Sequence, residues 1–313
     1  MIAHWDDVEG EVVDKGPLGF TTYDLGTAAD TKNAGVTRAR VNPGKQSSPV
    51  HVELDEEEIF YVLAGSGLSW QDGEVYEVEA GDCVVHRVAE ETHTMIGGPE
   101  GLDMLAFGQR TDPPLTYLPR AKVARMGVTL DVSPGPHPWD READAGDLEL
   151  PAPSARKDNI SSIATPQAEE GGSWAELGAS GDSARSGLNW IHLDPGRRGP
   201  PPHCHSAEEE IFVVLDGEGV LELWPTPGTT RLHPDFEYHE HAIRRGHVLS
   251  RKPGTRIAHS LKAGDAGLTY LVYGTWDTND VCYYPRSNKI FWRGIGLIAR
   301  LESLEYDDGE PED

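Results

Sequence analysis

The sequence has little cysteine and no long hydrophobic segment. Cys83, Cys204 and Cys282 are its only cysteines, and they lie far apart without Cys-x-x-Cys spacing, which argues against a disulfide framework. No apolar run approaches the length of about 18 residues that a transmembrane helix requires. The acidic N-terminal residues lack the basic and apolar regions of a signal peptide. We therefore expect a cytoplasmic protein with reduced thiols.

Basic residues are also scarce. The 313-residue chain has 27 Lys and Arg against 53 Asp and Glu, which gives a formal net charge of −26. Such a surface repels phosphate backbones and anionic lipid, so we expect neither a nucleic-acid nor a membrane partner. The acidity itself indicates only a well-solvated surface.

One stretch of the sequence occurs twice. Residues 43–67 read PGKQSSPVHVELDEEEIFYVLAGSG, and residues 195–219 read PGRRGPPPHCHSAEEEIFVVLDGEG. The offset of 152 stays ungapped over residues 24–67 and 176–219, and 17 of these 44 positions are identical. A repeat of this length indicates two copies of one structural unit.

Both copies contain short β-rich segments bounded by turn residues, at a spacing typical of a β-sandwich or barrel. The predicted strands are 36–42, 58–63, 75–79, 83–88 and 103–107 in the first copy, and 189–193, 210–215, 219–224, 247–251 and 268–273 in the second. We predict an all-β protein with domains at residues 1–120 and 159–300. A Pro/Gly-rich linker at 121–158, partly packed through Trp139, joins them, and an acidic tail follows at 301–313.

The second copy is longer than the first. Gly81 matches Gly246 at an offset of 165, which adds 13 residues between Gly219 and Gly246. This insert, within residues 220–245, is polar and contains three histidines, His233, His239 and His241. We expect it to form a lid or rim, with a solvated loop as the alternative.

The second copy contains a set of residues with metal-ligand chemistry. His203 and His205 are two apart on a predicted strand and therefore face the same side, whereas Cys204 should face away. Glu210 opens the next strand, and His259 follows a Pro-Gly turn. Three imidazoles and one carboxylate suit Fe(II), Mn(II), Ni(II), Cu(II) or Zn(II) and leave positions for water or substrate. A structural zinc site would favour cysteine ligands, and no cysteine is spaced to serve as one.

The first copy has a variant of this set, in which His51, Glu53, Glu58 and His93 occupy the corresponding positions. Glu53 thus replaces the second histidine. Two carboxylates and two imidazoles can still bind a metal, with a preference for harder ions. The alternative is a former site in which Glu53 pairs with His93.

These spacings resemble a known family. The pattern PG-x6-H-x-H-x4-E-I-x5-G, followed by PGT-x3-H, resembles the two-part motif of cupins, and two copies make the chain similar to a bicupin. The resemblance implies two tandem double-stranded β-helix (jelly-roll) barrels whose motif histidines and glutamate face the barrel interior. Position by position, it places the ligands on His203, His205, Glu210 and His259. The segment TYLVYGTWDTNDVCYYPRSNKIFWRG is similar to the end of bacterial bicupins described only as conserved cupin proteins.

Each motif contains a run of three glutamates, of which only the last has the ligand position. By strand alternation Glu57 and Glu209 should point away from the ligands, and we expect them to be solvated charges.

The metal set favours an enzyme that acts on a small, oxygen-rich organic substrate. One divalent transition metal per chain is expected, or two if the first copy also binds one. Iron would favour a dioxygenase, whereas Mn, Ni or Zn would favour an isomerase, decarboxylase or lyase. A non-catalytic small-molecule-binding protein is the alternative, and a homodimer is left open. The candidate acids or bases are His192, Glu222 and Tyr283.

Overall fold

The computed structural model describes residues 1–130, 135–302, 304 and 307–309. Most of the predicted acidic tail, and residues 131–134 of the predicted linker, lie outside this range. The strands of the first half are β1 (Ile2–His4), β2 (Glu11–Lys15), β3 (Leu18–Asp24), β4 (Ala34–Val41), β5 (Val52–Glu53), β6 (Glu58–Gln71), β7 (Glu74–Glu79), β8 (Asp82–His86), β9 (His93–Gln109), β10 (Leu115–Leu118), β11 (Val123–Met126) and β12 (Val128–Leu130).

The second half repeats the plan. Its strands are β13 (Ile160–Ser162), β14 (Gln167–Glu169), β15 (Gly172–Glu176), β16 (Ser186–Leu193), β17 (Cys204–His205), β18 (Glu210–Pro225), β19 (His239–Arg244), β20 (His247–Arg251), β21 (Ile257–Thr275), β22 (Val281–Tyr284), β23 (Lys289–Trp292) and β24 (Leu297–Arg300). The α-helices are α1 (Leu25–Ala28), α2 (Pro138–Asp144), α3 (Leu177–Ser180) and α4 (Pro227–Leu232). None of these described helices has the length or apolar character needed to cross a membrane.

Each half combines an eight-stranded sheet with a four-stranded sheet. The large sheet of the first half has the order β13-β8-β6-β9-β4-β3-β2, with β7 beside β6, and the small one the order β12-β11-β10-β5. The second half has β1-β20-β18-β21-β16-β15-β14, with β19 beside β18, and β17-β22-β23-β24. The all-β, two-barrel prediction is confirmed.

One strand prediction, in the second barrel, is wrong. Segments 210–215 and 219–224 were predicted as separate strands, but they form the single strand β18, which is irregular between Val214 and Asp216 and between Gly217 and Gly219. Gly217 has a φ of +76°, and a Cβ there would lie 2.2 Å from the carbonyl oxygen of Gly267. The glycine therefore bends a continuous strand instead of ending it, because only glycine tolerates this close backbone approach.

The two halves exchange strands. The N-terminal strand β1 pairs with β20 of the second barrel, from Ile2 opposite Leu249 to His4 opposite His247. In return β13, from the start of the second half, pairs with β8 of the first barrel, with Ile160 opposite Val84. The predicted boundaries at residues 120 and 159 do not anticipate this exchange.

The motif strands β6 and β18 are buried on both faces. One face carries Phe60 in the first barrel and Phe212 in the second, each inside its own barrel core. The opposite face carries Ile59 and Ile211, which belong to one shared core between the barrels. This explains why both segments are hydrophobic without a polar alternation.

The shared core overturns the expectation that Glu57 and Glu209 are solvated. Glu57 is 1% exposed and Glu209 is fully buried, because the face opposite to the ligands packs against the other barrel. Glu57 accepts hydrogen bonds from the backbone N–H groups of Ala184 and Arg185, at 2.8 Å each. Glu209 makes the corresponding contacts with the first half.

Glu209 accepts hydrogen bonds from three consecutive backbone N–H groups, those of Lys32, Asn33 and Ala34, and from the Ser250 hydroxyl. The two glutamates thus fix a loop of the opposite half reciprocally. A buried carboxylate that satisfies several buried donors leaves all of them without a partner when it is removed.

We expect Glu209→Ala to lower the free energy of unfolding by about 3 kcal/mol or more, because three backbone donors lose their acceptor. The exposed Glu218 on the same strand is the matched control, and Glu218→Ala should change stability by no more than about 0.5 kcal/mol. Urea unfolding followed by circular dichroism measures both. Equal midpoints for the two variants would contradict the role assigned to Glu209.

Candidate metal centres

The second barrel brings its four predicted ligands together around one carboxylate oxygen. The Nε2 atoms of His203, His205 and His259 lie 3.6, 3.4 and 2.7 Å from Oε2 of Glu210. Glu210 and His259 come from the adjacent strands β18 and β21, and the two other histidines come from β17 and the residue before it. The donors therefore converge inside the barrel, as the family resemblance implies.

Backbone pairing and hydrogen bonds orient these rings. His203 and His259 face each other in an isolated antiparallel bridge, with N–H···O distances of 3.1 and 2.8 Å. The Nδ1 atom of His203 donates to the carbonyl of Pro201 at 2.8 Å. Because a carbonyl only accepts, Nδ1 carries the proton and Nε2 presents its lone pair to the cluster.

Asp280 orients His205 and was not predicted from the sequence. Its Oδ2 lies 2.7 Å from His205 Nδ1, and its Oδ1 accepts from the backbone N–H groups of Ala207 and Glu208. Burial opposes ionisation of Asp280, but these hydrogen bonds outweigh it and lower its pKa to about 2. A carboxylate behind a ligand histidine is common at metal sites. Asp280 follows His205 by 75 residues, so spacing gave no signal for it.

The second cluster fits a divalent metal by an observation independent of the motif. His205 Nε2 is buried and has no hydrogen-bond partner, although a buried polar atom is normally satisfied. The atom faces Glu210, whose pKa is held well below its ordinary value by the surrounding imidazoles, although desolvation opposes this shift. A cation between these atoms would satisfy both groups.

One expectation about cysteine is wrong. Cys282 is buried, and its sulfur lies within 4.8 Å of ring nitrogens of His203 and His205. It reaches the cluster because β22 pairs with β17, with Cys282 opposite His205. Cys204 lies opposite Tyr283 in the same pairing and is not part of the donor clusters of the described residues.

The first barrel has a smaller cluster of His51, Glu58 and His93. The Nε2 atoms of the two histidines lie 3.1 and 2.9 Å from Oε2 of Glu58. Glu53 is further away, 3.9 Å from His51, and accepts a hydrogen bond from the Thr116 hydroxyl instead of pairing with His93. Each barrel therefore contains His and Glu donors that fit a divalent transition metal, with the fuller set in the second.

A small cavity adjoins the second cluster. It has a volume of about 40 Å³, and three of the four predicted ligands contribute to its wall. Its lining residues are Ile191, Pro200, His203, Glu210, Phe212, His259, Ser260, Leu261, Tyr270 and Val272. A wider pocket of about 610 Å³ shares Ile191 and Pro200 with it and carries Arg197, Arg198 and Lys262 on its wall.

The three candidate acids or bases do not line this cavity. His192 follows the cavity residue Ile191 on β16 and faces the other side, where its Nδ1 lies 2.9 Å from the Thr269 hydroxyl. Glu222 is occupied by a two-point ion pair with Arg198, at 2.5 and 2.7 Å.

The third candidate, Tyr283, donates its hydroxyl hydrogen bond to Asn288 at 3.0 Å. Its neighbour Tyr284 lies at the cluster instead, with its ring centre 5.6 Å from that of His203. Strand alternation on β22 separates the two tyrosines; the sequence showed the pair but not which face looks inward.

Arg251 is a further residue that the sequence analysis missed. It lies directly opposite Glu210 in the pairing of β20 with β18. One of its Nη atoms donates to the carbonyl of Ile257 at 3.0 Å, and its buried Nε has no partner. Burial lowers the pKa of Arg251 to about 10, so the guanidinium remains charged at neutral pH beside the cluster.

Residues 37–96 match the Cupin domain family. No curated protein sequence matches the chain. Among solved structures, the chain is similar to oxalate decarboxylase from Bacillus subtilis at pH 4.6, with 15% identity, a TM-score of 0.62, and coverage of 88% of this chain and 76% of that one. A mutant of the same enzyme has 16% identity and a TM-score of 0.62, with coverage of 90% of this chain and 78% of that one. A structure concerned with the Mn(II) centres of this enzyme has 15% identity and a TM-score of 0.61, with the same two coverages. Residues 37–96 are therefore similar to the cupin domain, and the chain as a whole has a two-barrel, bicupin-like fold.

Proposed function

We propose that this chain is a metal-dependent cupin enzyme that decarboxylates a small, oxygen-rich organic acid in its second barrel. The observation that carries the proposal is the convergence of His203, His205 and His259 on Glu210 beside a small cavity, with His205 Nε2 lacking a hydrogen-bond partner. A divalent metal held there would act as a Lewis acid toward an oxygen of the substrate.

The charges around the cluster support an anionic substrate. Arg251 places a buried positive charge beside Glu210, and its unpartnered Nε can donate to a carboxylate. The wider pocket shares Ile191 and Pro200 with the cavity and carries Lys262 on its wall, whereas its two arginines are paired with glutamates. In a chain with a net charge of −26, the guanidinium of Arg251 at this position favours the binding of an acid.

The cavity restricts the size of the substrate. A volume of about 40 Å³ holds only a few water molecules, so a molecule of a few non-hydrogen atoms fits it without rearrangement. Ile191, Phe212 and Val272 make much of the wall apolar. These side chains limit bulk water at the cluster and so strengthen electrostatic interactions inside it.

The similarity to oxalate decarboxylase supports decarboxylation over the other reactions that a bound metal would allow. That enzyme has Mn(II) centres, and hard oxygen-binding ions are compatible with a histidine and carboxylate set. At 15 to 16% identity, the likeness concerns the fold, so substrate and metal are proposed from the site itself.

A dioxygenase is the second candidate. Three imidazoles and one carboxylate also suit Fe(II), and the small, largely apolar cavity beside the cluster suits a small neutral molecule such as O2. In the first barrel His51, Glu58 and His93 would hold a second ion more weakly, because they offer three close donors instead of four.

We expect His205→Ala to release about one equivalent of metal per chain, because it removes one of four converging donors. Elemental analysis of the purified protein measures the change. Cys204→Ser is the matched control and should retain the full metal content, because its side chain is on the other side of β17. Unchanged stoichiometry in His205→Ala would refute the metal assignment.

The reaction class is tested with oxalate and other small hydroxy and keto acids, with separate measurement of CO2 release and O2 uptake. Decarboxylation predicts CO2 in proportion to the acid consumed, without matching O2 uptake, and loss of turnover on chelation. Stoichiometric O2 uptake would favour the dioxygenase. Saturable binding without turnover by metal-loaded protein would indicate a non-catalytic protein.

We expect Arg251→Met to lower kcat/KM for an acidic substrate by about tenfold or more, since it removes a charged hydrogen-bond donor from a buried site. Metal content should stay the same, because Arg251 is not a donor to the cluster. An unaltered kcat/KM would show that the guanidinium does not face the substrate.

A further inference from the structure

The insert of the second barrel contains another His-x-His pair. His239 and His241 lie on β19, and both are exposed. The insert forms a hairpin in which β19 pairs with β18 and occupies a position outside the main strand order. Neither histidine has a part in the metal centre described above.

Cross-strand register places this pair on the same sheet face as the buried ligand His259. Leu223 of β18 lies opposite His239 on one side and opposite His259 on the other. Residues directly opposite each other in antiparallel strands project to the same face. The next inward-facing residue of β19, Ile243, is buried in the core of the second barrel, so His239 and His241 stand at the mouth of that barrel.

The geometry of the exposed pair reproduces that of the buried one. The ring centres of His239 and His241 are 5.1 Å apart with an interplanar angle of 81°, and those of His203 and His205 are 5.0 Å apart at 80°. With a metal–nitrogen bond of about 2.1 Å and about 1.1 Å from nitrogen to ring centre, two imidazoles at a tetrahedral angle have centres about 5.2 Å apart. The two rings are therefore already spaced to share an ion.

The hydrogen bonding of His239 is also that of a ligand. Its Nδ1 donates to the carbonyl of Glu237, two residues earlier, at 3.1 Å. The candidate ligands His51 and His203 make the same bond to Pro49 and Pro201. Because Nδ1 of His239 carries the proton, its Nε2 has a free lone pair.

We propose that His239 and His241 form an additional, solvent-accessible metal site at the mouth of the C-terminal barrel. Two neutral imidazoles bind borderline ions such as Zn²⁺, Ni²⁺ and Cu²⁺, and water completes the coordination. The site lies two strand spacings from His259, or about 10 Å between Cα atoms. It does not depend on a metal in the buried cluster.

The test uses Zn²⁺ alone as the probe, titrated calorimetrically into metal-free protein. The variant His239→Ala/His241→Ala should bind one Zn²⁺ per chain fewer than the unaltered protein. His233→Ala is the matched control, because His233 is exposed in the same insert but precedes β19, and it should bind as the unaltered protein does. Equal stoichiometry for all three proteins would overturn the proposal.

The same comparison of Zn²⁺ stoichiometry, with and without His239 and His241, is repeated in a protein that also carries His205→Ala and His259→Ala. This separates the mouth site from the buried one. The zinc equivalent that depends on His239 and His241 should persist there, whether or not the buried cluster binds metal. If it disappears together with the buried ligands, the mouth pair is not an independent site. In this background, removal of His239 and His241 should eliminate one bound Cu²⁺ per chain together with its coupling to two imidazole nitrogens, measured by electron paramagnetic resonance against the same background with the pair intact. An undiminished copper signal would also overturn the proposal.

Discussion

The burial of both faces of the motif strands is the constraint on which the rest of the structure depends. One face of β18 looks into its barrel and supplies Glu210 to the histidine cluster. The other face packs against the first barrel, where the adjacent Glu209 fixes the backbone of Lys32 to Ala34. Since neighbouring side chains on a strand point in opposite directions, one run of glutamates serves both the metal centre and the contact between barrels. The position of the ligand is thus tied to the docking of the two halves.

Much of the fold and the core of the candidate site could be predicted because the chain repeats itself. The ungapped copies determined the two barrels, and period-2 alternation placed His203 and His205 on one face. Period 2 does not show what lies beyond the opposite face, and for that reason Glu57 and Glu209 were wrongly expected in solvent. It also cannot reveal Asp280 and Arg251, since their proximity to the cluster arises from strand pairings between distant segments. The long strand β18 was divided at Gly217 because a glycine that bends a strand has the same sequence signature as one that ends it.

The two copies have diverged in opposite directions from a common plan. In the second barrel the cluster is supported by Asp280 and flanked by Arg251, and a histidine-bearing hairpin stands at the mouth. In the first barrel, Glu53 accepts a hydrogen bond from Thr116 instead. His86 occupies the position that Arg251 has in the second barrel, and its ring stacks on that of His93 with 3.7 Å between the ring centres. The second barrel has accumulated groups that attract ions and acids, whereas the first retains a compact cluster of two histidines and a glutamate.

The exchange of β1 and β13 makes each half depend on the other for a complete sheet, which the similarity of the two repeats does not reveal. Each barrel completes its large sheet with a strand from the other half of the sequence. A polypeptide cut between the repeats would yield two pieces, each with an uncovered sheet edge and each carrying the strand that the other lacks. Unpaired edges of this kind template association with further chains. The two repeats are therefore not simply placed in tandem, because each needs a strand of the other to complete its large sheet.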